Sequence, residues 1–286
     1  MGPSCAPPPE RRMPVIDMGQ LHLFYESSGS GPPIILIPGW TLNTHFWDGV
    51  TGGLSGAFRV IRYDVRGAGR STSDPALEYS RVADVEDLAG LMDHLHLGRA
   101  HLVGHSKGAR IACIFSMLHP DRVLSLTAIG SAEPHGTQGE ERAFRTIAQA
   151  WVQRARDKAH LEGTDAAVLY LAQSRLFGKL RTSVEGVRQL HFAMQGYEAA
   201  DLLSTHPRRD VDTAKLTSYL TMPVQFIVGG EDPFRQECEY AHRAIAGSEL
   251  VILKGAGHMV PLEQPDLIGG QIFQFITSLS PGQGPG

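Results

Sequence analysis

Short runs of branched aliphatic residues recur along this chain with helix-period stretches between them, and that alternation limits its fold more than any other feature. The runs fall at 15–18, 22–26, 34–38, 59–64, 100–104, 123–129, 224–229 and 250–253, and helical patterns fill 80–97, 106–119, 236–245 and 266–279. Strands that are apolar throughout and separated by helices belong in a parallel sheet covered on both faces. The first two runs have only a turn between them and are expected to form an antiparallel hairpin at one edge. Each later pair is expected to have enough intervening chain for a crossover helix. The expected fold is α/β: an eight-stranded, mostly parallel sheet with helices on both faces.

Between about Glu133 and Leu220 the strand-like runs vanish and long helical patterns, 140–160 and 165–177, replace them. This reads as a helical cap inserted between strands six and seven. The 286 residues give a prior of about two domains at ~150 residues each, yet one α/β unit with an insertion accounts for the same length. The expected division is a core of 14–132 and 221–279, a cap of 133–220, and disordered Pro/Gly-rich tails at 1–13 and 280–286. Within the insertion, Phe144, Trp151, Tyr170, Phe177, Phe192 and Tyr197 suit either a packing face or a ligand wall, and packing is the commoner use of such stripes.

Composition excludes several function classes. With 42% apolar and 20% charged residues the chain can bury a sizeable core, which argues against disorder and against a disulfide-stapled mini-fold. Its 26 basic and 30 acidic residues leave a net charge of -4, with no basic footprint for nucleic acid. No apolar run approaches the ~20 residues that span a bilayer, so no membrane span is expected. Cys5, Cys113 and Cys238 are too few and too scattered for a disulfide framework or a zinc site, which fits a reducing compartment. The first residues carry no apolar signal-peptide core, so a cytoplasmic location is expected.

The pentad Gly104-His105-Ser106-Lys107-Gly108 stands between a strand and a helix. In that setting a sharp turn lifts Ser106 above the sheet, small residues at 104 and 108 let the backbone close, and the helix N-terminus aims amide N–H groups at a developing oxyanion. A serine hydroxyl needs a base, and the base needs an orienting acid. His258, in Gly255-Ala256-Gly257-His258-Met259-Val260-Pro261, follows the last strand, and Asp232 follows the strand before it. Alone, His258 reads as a surface histidine and Asp232 as a turn residue before Pro233. Together, the order Ser106, Asp232, His258 matches one convergent triad class. The string Gly67-Ala68-Gly69 lacks the third glycine of a dinucleotide loop, because Thr72 stands there. His94 and His96, two residues apart on an expected helix, point about 200° from each other and do not suit one metal ion.

These motifs resemble those of the α/β-hydrolase-fold enzymes, specifically the lidded serine esterases and lactonases, over nearly the whole chain from Val15 to Leu279. Ile37-Pro38-Gly39-Trp40 resembles the family's oxyanion loop, and Asp64-Val65-Arg66-Gly67-Ala68-Gly69-Arg70-Ser71 resembles its D-x-R-G-x-G-x-S turn. The resemblance implies an oxyanion hole made by the backbone amides of Trp40 and Lys107. Pro38 departs from the histidine common there, and the Lys107 side chain beside the nucleophile is expected to point to solvent. Some members take their acid from the sixth strand, which makes Glu133 an alternative to the preferred Asp232. A serine nucleophile disfavours the dehalogenases and epoxide hydrolases, which attack with aspartate. The resemblance thus implies hydrolysis of a carboxylic ester or lactone of a moderate-size apolar or aromatic small molecule, without metal or cofactor. Carbon–carbon bond hydrolysis, a ligand receptor of this fold and a non-catalytic scaffold are the alternatives. Trp151, Tyr170 and Met259 are the expected substrate-lining residues.

Overall fold

The computed structural model describes residues 14–133, 140–207, 209–213 and 217–279, with the backbone alone for 140–148 and Thr217. Both expected tails, Cys5 and the Phe144 side chain lie outside the described residues. Eight strands form: β1 Val15–Asp17, β2 His22–Ser28, β3 Pro33–Ile37, β4 Arg59–Tyr63, β5 Ala100–His105, β6 Val123–Ile129, β7 Val224–Gly229 and β8 Glu249–Leu253. They make one sheet in the order β1-β2-β4-β3-β5-β6-β7-β8. The β1–β2 and β2–β4 pairings are antiparallel and the others parallel.

One connection differs from the sequence expectation. Only residues 29–32 separate β2 from β3, too few for a crossover helix. The chain turns tightly, β2 runs antiparallel along β4, and β3 lies between β4 and β5.

The helices are α1 Asp48–Leu54, α2 Arg81–His94, α3 Lys107–Leu118, α4 Glu140–Glu162, α5 Thr164–Ala172, α6 Val184–Met194, α7 Ala200–Leu203, α8 Arg235–Ala244, α9 Val260–Glu263 and α10 Pro265–Ser278. Side chains alternate across a pleated strand, so neighbouring residues of β3 serve opposite cores. Ile35 and Ile37 pack with Leu88 and Met92 of α2, Ile111 and Phe115 of α3, and Cys238 and Ala241 of α8. Ile34 and Leu36 pack with Val50 and Leu54 of α1 and Ile268, Ile272 and Ile276 of α10. Both faces are therefore covered, which is why β5 and β7 are buried at every position. His96 lies past the end of α2 with φ 54, so the His94–His96 pair does not share one helix as expected.

From α4 to α7 the described chain between β6 and β7 is helical, with 3-10 turns at Arg175–Phe177 and Leu180–Thr182. Among the described residues no helix is long and apolar enough to cross a membrane. The parallel strands β3, β5, β7 and β8 end at one edge of the sheet, so the loops carrying Trp40, Ser106, Asp232 and His258 emerge together.

Candidate active site

At the end of β5 the chain reverses into α3 through Ser106, whose φ of 52 and ψ of -114 lie in a region that L-residues rarely occupy. Such a conformation costs on the order of 1–3 kcal/mol and persists only where the surroundings impose it. Here they do. A Cβ on Gly104 would stand 2.2 Å from the Gly108 carbonyl oxygen, and one on Gly108 would stand 2.2 Å from that of Ile37. The Ser106 amide donates to the Ile129 carbonyl at 2.8 Å, which ties the elbow to β6.

Ser106 opens into a cavity of about 40 Å³ that it shares with His258. His258 Nδ1–H donates to Asp232 Oδ2 at 2.9 Å, and the other carboxylate oxygen accepts the Phe234 amide at 2.9 Å. The two side chains are 2% and 0% exposed, so the pair is shielded from water. With Nδ1 protonated against the acid, Nε2 keeps the lone pair that a general base needs.

Glu133, the alternative acid, is engaged elsewhere: Arg81 Nη1 lies 2.9 Å from its Oε1, and the Thr213 hydroxyl donates to its Oε2 at 2.8 Å. The carboxylate on His258 is Asp232. Lys107 also differs from expectation, because its Nζ reaches Asp84 Oδ1 at 2.9 Å instead of turning to solvent. Asp84 is buried on α2, and a buried carboxylate requires a charged or hydrogen-bonding partner. The Lys107 amide remains the first N–H of α3, a position with no acceptor inside the helix. In the loop after β3, Leu42 N donates to Gly39 O at 3.2 Å across a turn whose second corner, Thr41, has φ 70, so the turn itself leaves the Trp40 amide unused.

Trp151 and Met259 line the cavity. Tyr170 does not: it is half-buried on α5 with Lys158 Nζ 6.0 Å over its ring. The insertion instead contributes Leu171, Leu176 and Phe177 beside Trp151. Period alone places Tyr170 and Leu171 one residue, or about 100°, apart, and only the packing of α5 decides which faces inward.

Three further residues escaped the sequence reading. His105 is fully buried between Phe46 and His258, and its Nε2 lies 2.9 Å from the His258 carbonyl oxygen. Burial pushes its pKa well below the usual histidine range, so it is neutral and donates that hydrogen bond. Glu263 accepts the amides of Gly257 at 2.7 Å and Met259 at 3.1 Å, on either side of His258. Lys179, from the insertion, pairs with Glu231 Oε2 at 2.9 Å and donates to the Gly255 carbonyl, which bridges the loops of Asp232 and His258.

A family model for the alpha/beta hydrolase fold matches residues 32–265. This chain belongs to the α/β-hydrolase family. The α/β hydrolase resembles an enol-lactonase from Burkholderia xenovorans LB400, with 25% identity and a TM-score of 0.72 over 92% of this chain and 100% of that one. It resembles a thermophilic esterase from Thermogutta terrifontis, with 28% identity and a TM-score of 0.71 over 90% and 94% of the two chains. It is also 36% identical over 124 residues to a fluoroacetate dehalogenase from Burkholderia sp, covering 42% of this chain and 40% of that protein. The chain is accordingly a hydrolase, and its relatives differ in the bond they cleave.

Proposed function

We propose that this hydrolase cleaves a carboxylic ester or lactone of an apolar small molecule through an acyl-enzyme on Ser106. The observation that carries the reading is a serine at a strained elbow, in one cavity with a histidine whose Nδ1 is fixed by a buried aspartate. Ser106 Oγ attacks the carbonyl carbon while His258 Nε2 takes its proton. The negative oxygen of the tetrahedral intermediate is held by the Trp40 and Lys107 amides, and Asp232 stabilises the imidazolium. Collapse expels the alcohol, protonated by His258. Water, deprotonated by the same nitrogen, then releases the acid and restores Ser106. The lactonase and esterase among the relatives support this chemistry.

In this reading residues 133–220 are a cap that closes the site. The cavity at Ser106 and His258 is walled by Trp151, Leu171, Leu176 and Phe177 of this segment, so the apolar groups of a bound substrate would pack against these side chains. A screen of esters of graded acyl length, lactones of several ring sizes and a vinylogous aromatic ketone, run beside Ser106→Ala, tests the proposal. Turnover of esters or lactones that Ser106→Ala loses is the expected result. Turnover of the ketone alone would replace the proposal with carbon–carbon hydrolysis.

A further inference from the structure

The loop that carries Trp40 is completed by the insertion. Asn43 N donates to Ala193 O at 2.7 Å, and Asn43 Nδ2 donates to Phe192 O at 2.8 Å and to Gln195 O at 2.9 Å. Four residues beyond Tyr197, at the start of α7, Asp201 binds the loop a second time. Trp40 Nε1–H donates to Asp201 Oδ2 at 2.8 Å, and the Tyr197 hydroxyl donates to Asp201 Oδ1 at 2.8 Å. Burial, reinforced by the Asp201 charge, pushes the Tyr197 pKa well above its usual value, so the phenol keeps its proton and remains a donor. The Trp40 ring is gripped edge-on by Tyr197 at 6.4 Å and by Trp151 at 5.5 Å. Ala199, buried with φ 58 and ψ 24, holds a left-handed conformation uncommon outside glycine as the chain turns into α7.

A half-buried indole needs only some acceptor, and a backbone carbonyl would serve. This one receives a carboxylate delivered from 161 residues away, over a backbone kink, with a tyrosine fixing the carboxylate's other oxygen. Charge-assisted hydrogen bonds of this kind are stronger and more directional than neutral ones. Trp40 lines the cavity shared by Ser106 and His258, and in the proposed mechanism its backbone amide holds the oxyanion. An oxyanion donor is effective only when held within a few tenths of an ångström of the developing charge. We propose that Asp201 is a positioning residue for the oxyanion hole: through the Trp40 indole it fixes the Trp40 amide, so that the hole is complete only when the insertion is seated. The inference rests on the reading of Trp40 as an oxyanion donor in a Ser106 hydrolase.

The test compares Asp201→Ala, Asp201→Asn, Trp40→Phe and the Asp201→Ala/Trp40→Phe double variant in the full chain. The readouts are kcat and KM on a small ester, thermal midpoint, and affinity for a trifluoromethyl ketone, whose serine adduct places a negative oxygen in the hole. Losing an oxyanion donor outright costs about 10²–10³ in kcat, and displacing one costs less. Asp201→Ala and Trp40→Phe are each expected to lower kcat and ketone affinity by about 10–100-fold with KM nearly constant. The double variant is expected to lose no more than either single one. Asp201→Asn recovers most activity, because its amide oxygen still accepts from Trp40 and its amino group donates to the Tyr197 oxygen. Unchanged kcat and ketone affinity in both Asp201→Ala and Trp40→Phe overturns the inference, as does a loss confined to KM or to the thermal midpoint. Ser106→Ala in the same assay separates the two levels: its inactivity upholds the hydrolase reading whatever Asp201 does, and full activity removes that reading.

Discussion

Replacing Asp232 with Asn changes one oxygen to an amino group and leaves the shape of the side chain intact. The Phe234 amide is a donor only, at 2.9 Å from Oδ1, so the amide oxygen of Asn must face it to avoid an unpaired buried donor. The amino group then faces His258 Nδ1, where the carboxylate stood at 2.9 Å. Two donors cannot share one hydrogen bond, so His258 loses its Nδ1 proton and carries it on Nε2, the nitrogen that must be free to deprotonate Ser106. The base is present but in the wrong tautomer, and the imidazolium also loses its counter-charge. The analogous change in a serine protease lowers kcat by about 10⁴, equivalent to about 5.5 kcal/mol of transition-state stabilisation. Steady-state turnover of a small ester, with circular dichroism and thermal midpoint as fold controls, is the assay. We expect a loss of about 10³–10⁴ in kcat with the fold unchanged. A folded Asp232→Asn enzyme within tenfold of wild type would show that Asp232 does not orient the base.

Trp151→Ala should raise kcat/KM for bulky esters relative to a small acetate, since Trp151 walls the cavity, whereas Tyr170→Ala should leave that ratio unchanged; paired kinetics on the two esters decide this. His101, buried and bonded to Ser125 at 2.8 Å, has its pKa lowered to about 4, chiefly by burial. Its folded pKa lies below the unfolded value of about 6.5, so the unfolded state binds more protons between pH 6.5 and 4 and stability falls as pH drops through that window. The contribution reaches on the order of 3 kcal/mol, and chemical denaturation across this range should show a shallower decline in His101→Gln than in wild type.

The central strands were legible because β3, β5, β6 and β7 are apolar runs buried at nearly every position, whereas β1, β2 and β8, at or beside the sheet edges, keep exposed residues and were marked by their short runs of branched residues. The four residues after β2 look like any other connection until their length is weighed against a crossover helix. Ser106, Asp232 and His258 stood out because each follows a strand that ends at the same edge of the sheet. Lys107 was misread because its partner is on another helix, although Asp84 shares a helical face with Leu88 and Leu91, a buried position where an acid signals a missing cation. Asp201, Glu263 and Lys179 had no local signal. Their roles come from contacts with loops brought near by the fold, and neither spacing nor composition records that Asp201 will meet Trp40. The same limit separated Trp151, which reaches the cavity, from Tyr170, which does not.

Capture of the covalent intermediate tests the central claim most directly. The enzyme is mixed with a slowly deacylating ester, quenched in acid, and examined by intact-protein and peptide mass spectrometry, with a fluorophosphonate as a second probe. The account predicts one acyl or phosphonyl group per chain on the peptide containing Ser106, absent from Ser106→Ala, forming at least as fast as the steady-state turnover. Turnover without an adduct at Ser106, or an adduct on another residue that persists with full activity in Ser106→Ala, would contradict it.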